Sequence, residues 1–259
     1  MNAAGDASGD ASAAAEADFR APDLDFAVIE YTDPACPWAW GSEPKFRRLR
    51  ELLGPRAHWR RVFGILFDEG GAQAPDDAAA TAETAWYHLE LEEISTYTHA
   101  PFPADLAWIA SSSWPASLAS KAAEAQGPQV AEAVLARLRE TTFIHGRPAD
   151  TRERVLAALE GLPGLDLPAL ADAAAGPDVL AAVRRDWAET REPGREVLEL
   201  TEPGRHPGRA KPLGEDPEDG FRYALPTLVF EGPGGRAVVP GWRVLGEYLA
   251  AAARVGTAG

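Results

Sequence analysis

Two spacings of apolar residues divide the chain. From Phe26 to Tyr31 every residue except Glu30 is apolar, aromatic or β-branched, which predicts a buried strand. Asp33 and Pro34 break it. A helix is expected from Cys36, because Pro37 suits a first helical position. Phe46, Leu49, Leu52 and Leu53 then recur at helical spacing until Gly54-Pro55, and Pro44 inside the run predicts a kink. Trp59 to Phe67, carrying Val62, Phe63, Ile65 and Leu66, reads as a second strand and completes a right-handed βαβ unit.

More than a hundred residues of helical pattern follow. Trp86, Leu89, Ile94 and Tyr97 mark one stripe, and Ser113-Trp114-Pro115 opens a helix running through Ala122 towards Gly127. Val130, Val134, Leu135 and Leu138 mark the next stripe. Asp150 with Glu153 looks like a capping box ahead of Val155, Leu156 and Leu159. Leu167 with Leu170, and Val179, Leu180, Val183 and Trp187, complete the set. Strand signals return at Tyr223 to Phe230 and Arg236 to Val239, joined by the turn Gly232 to Gly235 as a hairpin, before a last helix with Val244, Leu245, Tyr248, Leu249 and Val255.

These elements give an α/β chain with a helical insertion. The expected boundaries are a disordered tail at 1–24, a first α/β half at 25–76, a helical domain at 77–193, a flexible Pro/Gly-rich loop at 194–220 and a second α/β half at 221–259. The loop directly precedes a strand. It is therefore read either as a flexible cover or as a surface insertion without a role.

Composition narrows the function classes. In 259 residues the formal net charge is -15 and the pI is about 4.8, which disfavours nucleic acid and anionic membranes as partners. The one cysteine excludes an internal disulfide and fits a reducing compartment. Residues 1–17 lack a basic segment followed by an apolar one, and no run is long enough to span a bilayer, so a cytoplasmic protein is expected. His58, His88, His99, His145 and His206 have no metal-ligand spacing. His88 near Glu90, Glu92 and Glu93 reads as a solvated helix face, and no metal is expected.

The remaining chemistry centres on Cys36. At a helix N-terminus, unpaired N–H groups and the helix dipole favour a thiolate, and hence a nucleophile. A free cysteine is also commonly a small buried hydrophobe, and position alone leaves both readings open.

Residue identity adds to position. Strand, turn, Cys36-Pro37-Trp38-Ala39 and helix resemble the active-site segment of the DsbA-like branch of the thioredoxin superfamily. Glu30, six residues before Cys36, matches that branch's buried glutamate, and Trp40 to Pro44 is similar to the subgroup containing the SpxH-type protease adapters. Leu225-Pro226-Thr227 matches the family's cis-proline turn. The helical stretch between the two halves extends the likeness across nearly the whole chain after residue 25. The departure is Ala39, which stands where C-x-x-C members have their second cysteine.

The resemblance implies a thioredoxin-like fold, βαβ plus ββα, with the helical domain inserted. It implies Cys36 as nucleophile and Glu30 as buried proton acceptor or donor. Pro37, Trp38, Trp40, Leu225, Pro226 and Thr227 are the expected substrate contacts. Trp86, Trp108 and Trp114 are read as groove residues of the helical domain or, with better support, as core.

The activity so implied is thiol–disulfide exchange through one cysteine, with no tightly bound cofactor, a small cellular thiol as resolving co-substrate, and a thiol or disulfide substrate that is either a protein or a small molecule. Two alternatives stay open. One is a binding adapter like the SpxH-type ClpXP adapters. The other is a small-thiol-dependent transferase or isomerase related to kappa-class glutathione transferases.

Overall fold

The computed structural model describes residues 16, 19–22, 24–68 and 78–257. Most of the expected tail at 1–24, and the stretch around the expected boundary at 76, lie outside these residues. The described chain forms two compact units, one of residues up to 32 with 42–62 and 190–259, the other of 33–41 with 63–189.

The first unit holds a four-stranded sheet. Its strands are β1 (Phe26–Thr32), β2 (Ala57–Phe63, through Val62), β5 (Thr227–Gly232) and β6 (Gly235–Pro240), in the order β2-β1-β5-β6. β5 runs antiparallel to both neighbours, with Ile29 opposite Val229 and Leu228 opposite Val239. Phe26, Val28, Leu228, Phe230, Ala237 and Val239 join one core with Phe46, Leu49 and Leu53 of α1 (Pro37–Leu53) and Tyr248, Leu249, Ala252 and Val255 of α9 (Leu245–Val255). The intervening Ile29, Tyr31 and Val229 are buried as well. Burial on both faces explains why β1 reads as a continuous apolar run. Each large side chain so buried contributes about 1.5–3 kcal/mol.

The second unit is helical. It contains α2 (Ala78–Thr98), α3 (Trp114–Ala123), α4 (Pro128–Phe143), α5 (Arg152–Leu159), α6 (Leu167–Ala174) and α7 (Pro177–Thr190, through Glu189). Ala119, Val134, Leu138, Val155, Leu159 and Leu170 form one core. Leu91, Leu106 and Phe143 form another, with Trp40, Tyr87 and Ile109 against it.

Several sequence expectations shift here. The inner face of α2 is Tyr87, Leu91 and Ile94, whereas Trp86, Leu89 and Tyr97 are exposed. The expected stripe mixed two faces, and core packing of Trp86 is overturned. Thr151, not Asp150, caps α5 by accepting the Arg154 N–H at 3.2 Å. Asp150 is buried and instead accepts from the Ser111 N–H and hydroxyl. β2 stops at Phe63, and β5 begins only at Thr227.

The 194–220 segment, read as an open loop, carries defined structure within the first unit. Val197 of α8 (Arg195–Leu198) is buried and its carbonyl accepts the Ala210 N–H at 3.0 Å. β3 (Lys211–Pro212) pairs with β4 (Phe221–Arg222). At Gly208, φ is +86° and an added Cβ would stand 2.4 Å from the Pro240–Gly241 backbone, so this apparent loop glycine permits a close main-chain approach.

Candidate active site

The turn after β1 is built by Asp33. Its Oδ1 accepts the Ala35 N–H at 2.7 Å and the Ser113 hydroxyl at 3.0 Å, while Oδ2 accepts the Leu66 N–H at 2.8 Å. Its carbonyl accepts the Cys36 N–H at 3.2 Å, so an Asx turn and a four-residue reverse turn coincide. The Cys36 carbonyl accepts the Trp40 N–H at 3.0 Å, placing Cys36 in the cap position before Pro37. The positive end of the helix dipole therefore lies at the cysteine. Cys36 is only 3 % exposed, and Ala39, one turn along, is fully buried.

Aromatic residues pack around this turn. Trp38 is half-buried and meets Tyr97 edge-on at 5.7 Å. Trp40 stacks on Phe143 at 5.8 Å and donates through Nε1 to the Pro101 carbonyl at 2.8 Å, both contacts lying within the helical unit. Burial pushes the Tyr87 hydroxyl well above the ordinary tyrosine range, with the charges of Cys36, Asp33 and Glu90 adding to the shift. Trp114 donates to Asp68 at 2.6 Å, and the Arg154 guanidinium lies 4.0 Å from the Trp108 ring centre.

Glu30, in the first unit, is fully buried. Its Oε2 accepts from Arg50 Nη2 at 2.9 Å and from Arg61 Nε at 3.2 Å, and Arg50 also reaches Glu43 at 3.3 Å. The Arg50 guanidinium lies over the Trp59 ring at 4.7 Å. A buried carboxylate held by two guanidinium groups is compensated in charge.

The second motif also lies in the first unit. The Leu225–Pro226 bond is cis, and Thr227 stands opposite Tyr31. His206 Nε2 donates to the Leu225 carbonyl at 2.8 Å, and the Gly241 N–H to the Pro226 carbonyl at 2.9 Å. The Thr227 hydroxyl donates to the Ala224 carbonyl at 2.7 Å. Burial lowers the His206 imidazole to about 4, the Leu225 hydrogen bond opposes that, and Lys211, Arg222 and Arg243 add to it. Its neutral ring therefore uses Nε2–H as the donor at neutral pH.

Asp33, Ser113, Tyr87, Arg50, Arg61 and His206 are functional candidates that the sequence reading did not single out. Asp-Pro three residues before the cysteine was a usable Asx-turn signal for the first. The others depend on contacts between residues far apart in sequence. Among the described residues no group of three or more His, Cys, Asp or Glu could hold a metal, and no helix is long and apolar enough to cross a membrane.

Sheet order, inserted helices and the two turns define the class: this is a DsbA-like thioredoxin fold. A family model described as thioredoxin matches residues 30–192, and the chain belongs to that family. The fold is similar to that of the cytosolic disulfide reductase DsbM from Pseudomonas aeruginosa, with TM-score 0.59, 20% identity, and coverage of 86% of this chain and 91% of that one. It is also similar to a probable DsbA oxidoreductase from Streptomyces coelicolor, with TM-score 0.57, 19% identity, and coverage of 88% and 89%. In sequence, the ClpXP adapter protein SpxH from Shouchella clausii is 28% identical over 165 residues, covering 64% of this chain and 53% of the relative. The chain thus spans about half the length of the curated relatives it matches.

Proposed function

We propose that this protein is a thiol–disulfide oxidoreductase that works through Cys36 alone. The observation carrying this reading is a cysteine in the cap position of α1 with a buried alanine at the place of the resolving sulfur. The Cys36 thiolate attacks one sulfur of a substrate disulfide, forms a mixed disulfide and releases the other sulfur as thiolate. An external small thiolate then attacks the substrate sulfur of that mixed disulfide, returning Cys36 as thiolate and leaving the substrate joined to the small thiol. Exchange is balanced, and net reduction consumes a second external thiol.

In this reading Pro37 and Trp38 border the sulfur, Leu225 to Thr227 hold substrate backbone, Glu30 is a buried carboxylate held as an anion by Arg50 and Arg61, and Trp40 serves as an anchor. The substrate is a protein or small-molecule thiol or disulfide in a reducing, cytoplasmic setting. With Cys36 3 % exposed, slender reagents should react faster than bulky ones.

A binding adapter is the second reading. It is favoured by the replacement at Ala39 together with Trp86 and Leu89, which are 59 % and 61 % exposed on α2. Assaying wild type, Cys36→Ser and Ala39→Cys with and without a small thiol separates the two. Equal inactivity of wild type and Cys36→Ser, with the same partner retained by both, would establish the adapter. Cys36-dependent turnover that requires the added thiol supports the enzyme.

A further inference from the structure

We propose that Asp33 is a positioning residue for Cys36: its carboxylate builds the turn that presents the sulfur, and its fixed negative charge restrains formation of the thiolate. The inference rests on the reading of Cys36 as a reactive thiol and identifies what sets that reactivity. Asp33 is fully buried, as is Ser113, one of its donors. Three donors from three separate stretches, Ala35, Leu66 and Ser113, converge on the two carboxylate oxygens within 3.0 Å. Such a carboxylate is satisfied as an anion, so it is poorly suited to donate a proton and well suited to hold a charge in place.

The main chain of the same residue fixes the cysteine, because the Asp33 carbonyl accepts the Cys36 N–H. One residue thus sets both geometry and field at the sulfur. Two opposing influences meet there: the N-terminal end of α1 favours the thiolate, and a negative charge three residues away disfavours it. From α2, Tyr87 lies within reach of the charges of Cys36, Asp33 and Glu90. Burial is the main cause of the upward shift at Tyr87, and Cys36, Asp33 and Glu90 all contribute to it. Tyr87 is therefore neutral at working pH, while the Asp33 carboxylate supplies the negative charge.

The test is iodoacetamide alkylation of the full chain as a function of pH, a readout that needs no substrate and remains valid even if the exchange activity is absent. Since Cys36 is the sole cysteine, every labelled molecule reports on it, and Cys36→Ser is the blank. Asp33→Asn and Asp33→Ser, checked for folding by near-UV circular dichroism, should lower the alkylation midpoint by about 1 pH unit. Ser113→Ala loses one turn anchor but keeps the charge, so its midpoint should equal or exceed that of wild type.

An unchanged or raised midpoint in a folded neutral variant would overturn the proposal. So would an equal fall in Ser113→Ala, which would assign the effect to a loosened turn. If both neutral variants fail to fold while Ser113→Ala folds, Asp33 is a structural residue only, and the charge role is lost.

Discussion

At Glu30 the balance of charge is local and severe. One carboxylate oxygen takes hydrogen bonds from Arg50 and Arg61, whose side chains are 16 % and 11 % exposed. Glu30→Gln leaves both guanidinium groups without their shared anion and should cost about 3 kcal/mol in denaturant unfolding. A loss below about 1 kcal/mol would mean that the cluster relaxes around the amide. His206 gives a pH signature. Its unfolded value is near 6.5 and its folded value near 4, so between them the unfolded state binds the proton and the folded state does not. Stability should fall as pH drops from 6.5 to about 4, by on the order of 3 kcal/mol, and then level off. Comparing the pH dependence of unfolding in wild type and His206→Gln isolates that slope, and identical slopes would contradict the buried neutral ring. Of these residues, Cys36 and Glu30 were legible in the sequence, and Ala39 was legible as an absence. His206 was not, because its partner, the Leu225 carbonyl, is nineteen residues away across a proline- and glycine-rich segment that looked unstructured.

Among the elements, α1 and the β5–β6 hairpin were legible because caps, glycine turns and apolar runs are local signals. The register of α2 was not. Its apolar residues lie on two faces, and only tertiary contact with Phe143 and Leu106 tells the buried Leu91 from the exposed Leu89. The α5 cap slipped by one residue because Asp150 and Thr151 are both good capping types, and Asp150 is committed to Ser111. Thr151→Ala should therefore destabilise by about 1 kcal/mol, measured as a shift in urea midpoint. Where α1 passes α2, a Cβ on Gly41 would lie 2.6 Å from the Thr98 side chain. Gly41→Ala should cost about 1–3 kcal/mol by thermal melting, and a neutral result would show that the helices separate easily.

For the whole molecule, the insertion between the two α/β halves was the most legible feature, since the change from strand to helical spacing persists for over a hundred residues. What remained hidden was that the Asp33–Gly41 turn belongs with the helical unit, while the 194–220 segment belongs with the sheet. Both assignments depend on hydrogen bonds between distant stretches, such as Ser113 to Asp33 and Trp242 to His206. Ala39→Cys should introduce dithiol exchange in an insulin reduction assay that wild type fails, because the second position lies one helical turn from Cys36.

Catalysis through Cys36 alone requires that one sulfur turn over with an outside thiol. Intact-mass measurement of wild type and Cys36→Ser, mixed with a small-molecule disulfide and then with excess small thiol, decides whether it does. Wild type should carry a single adduct and Cys36→Ser none, and the added thiol should release that adduct through repeated cycles. No adduct on folded wild type, or an adduct that the thiol cannot release, would contradict it.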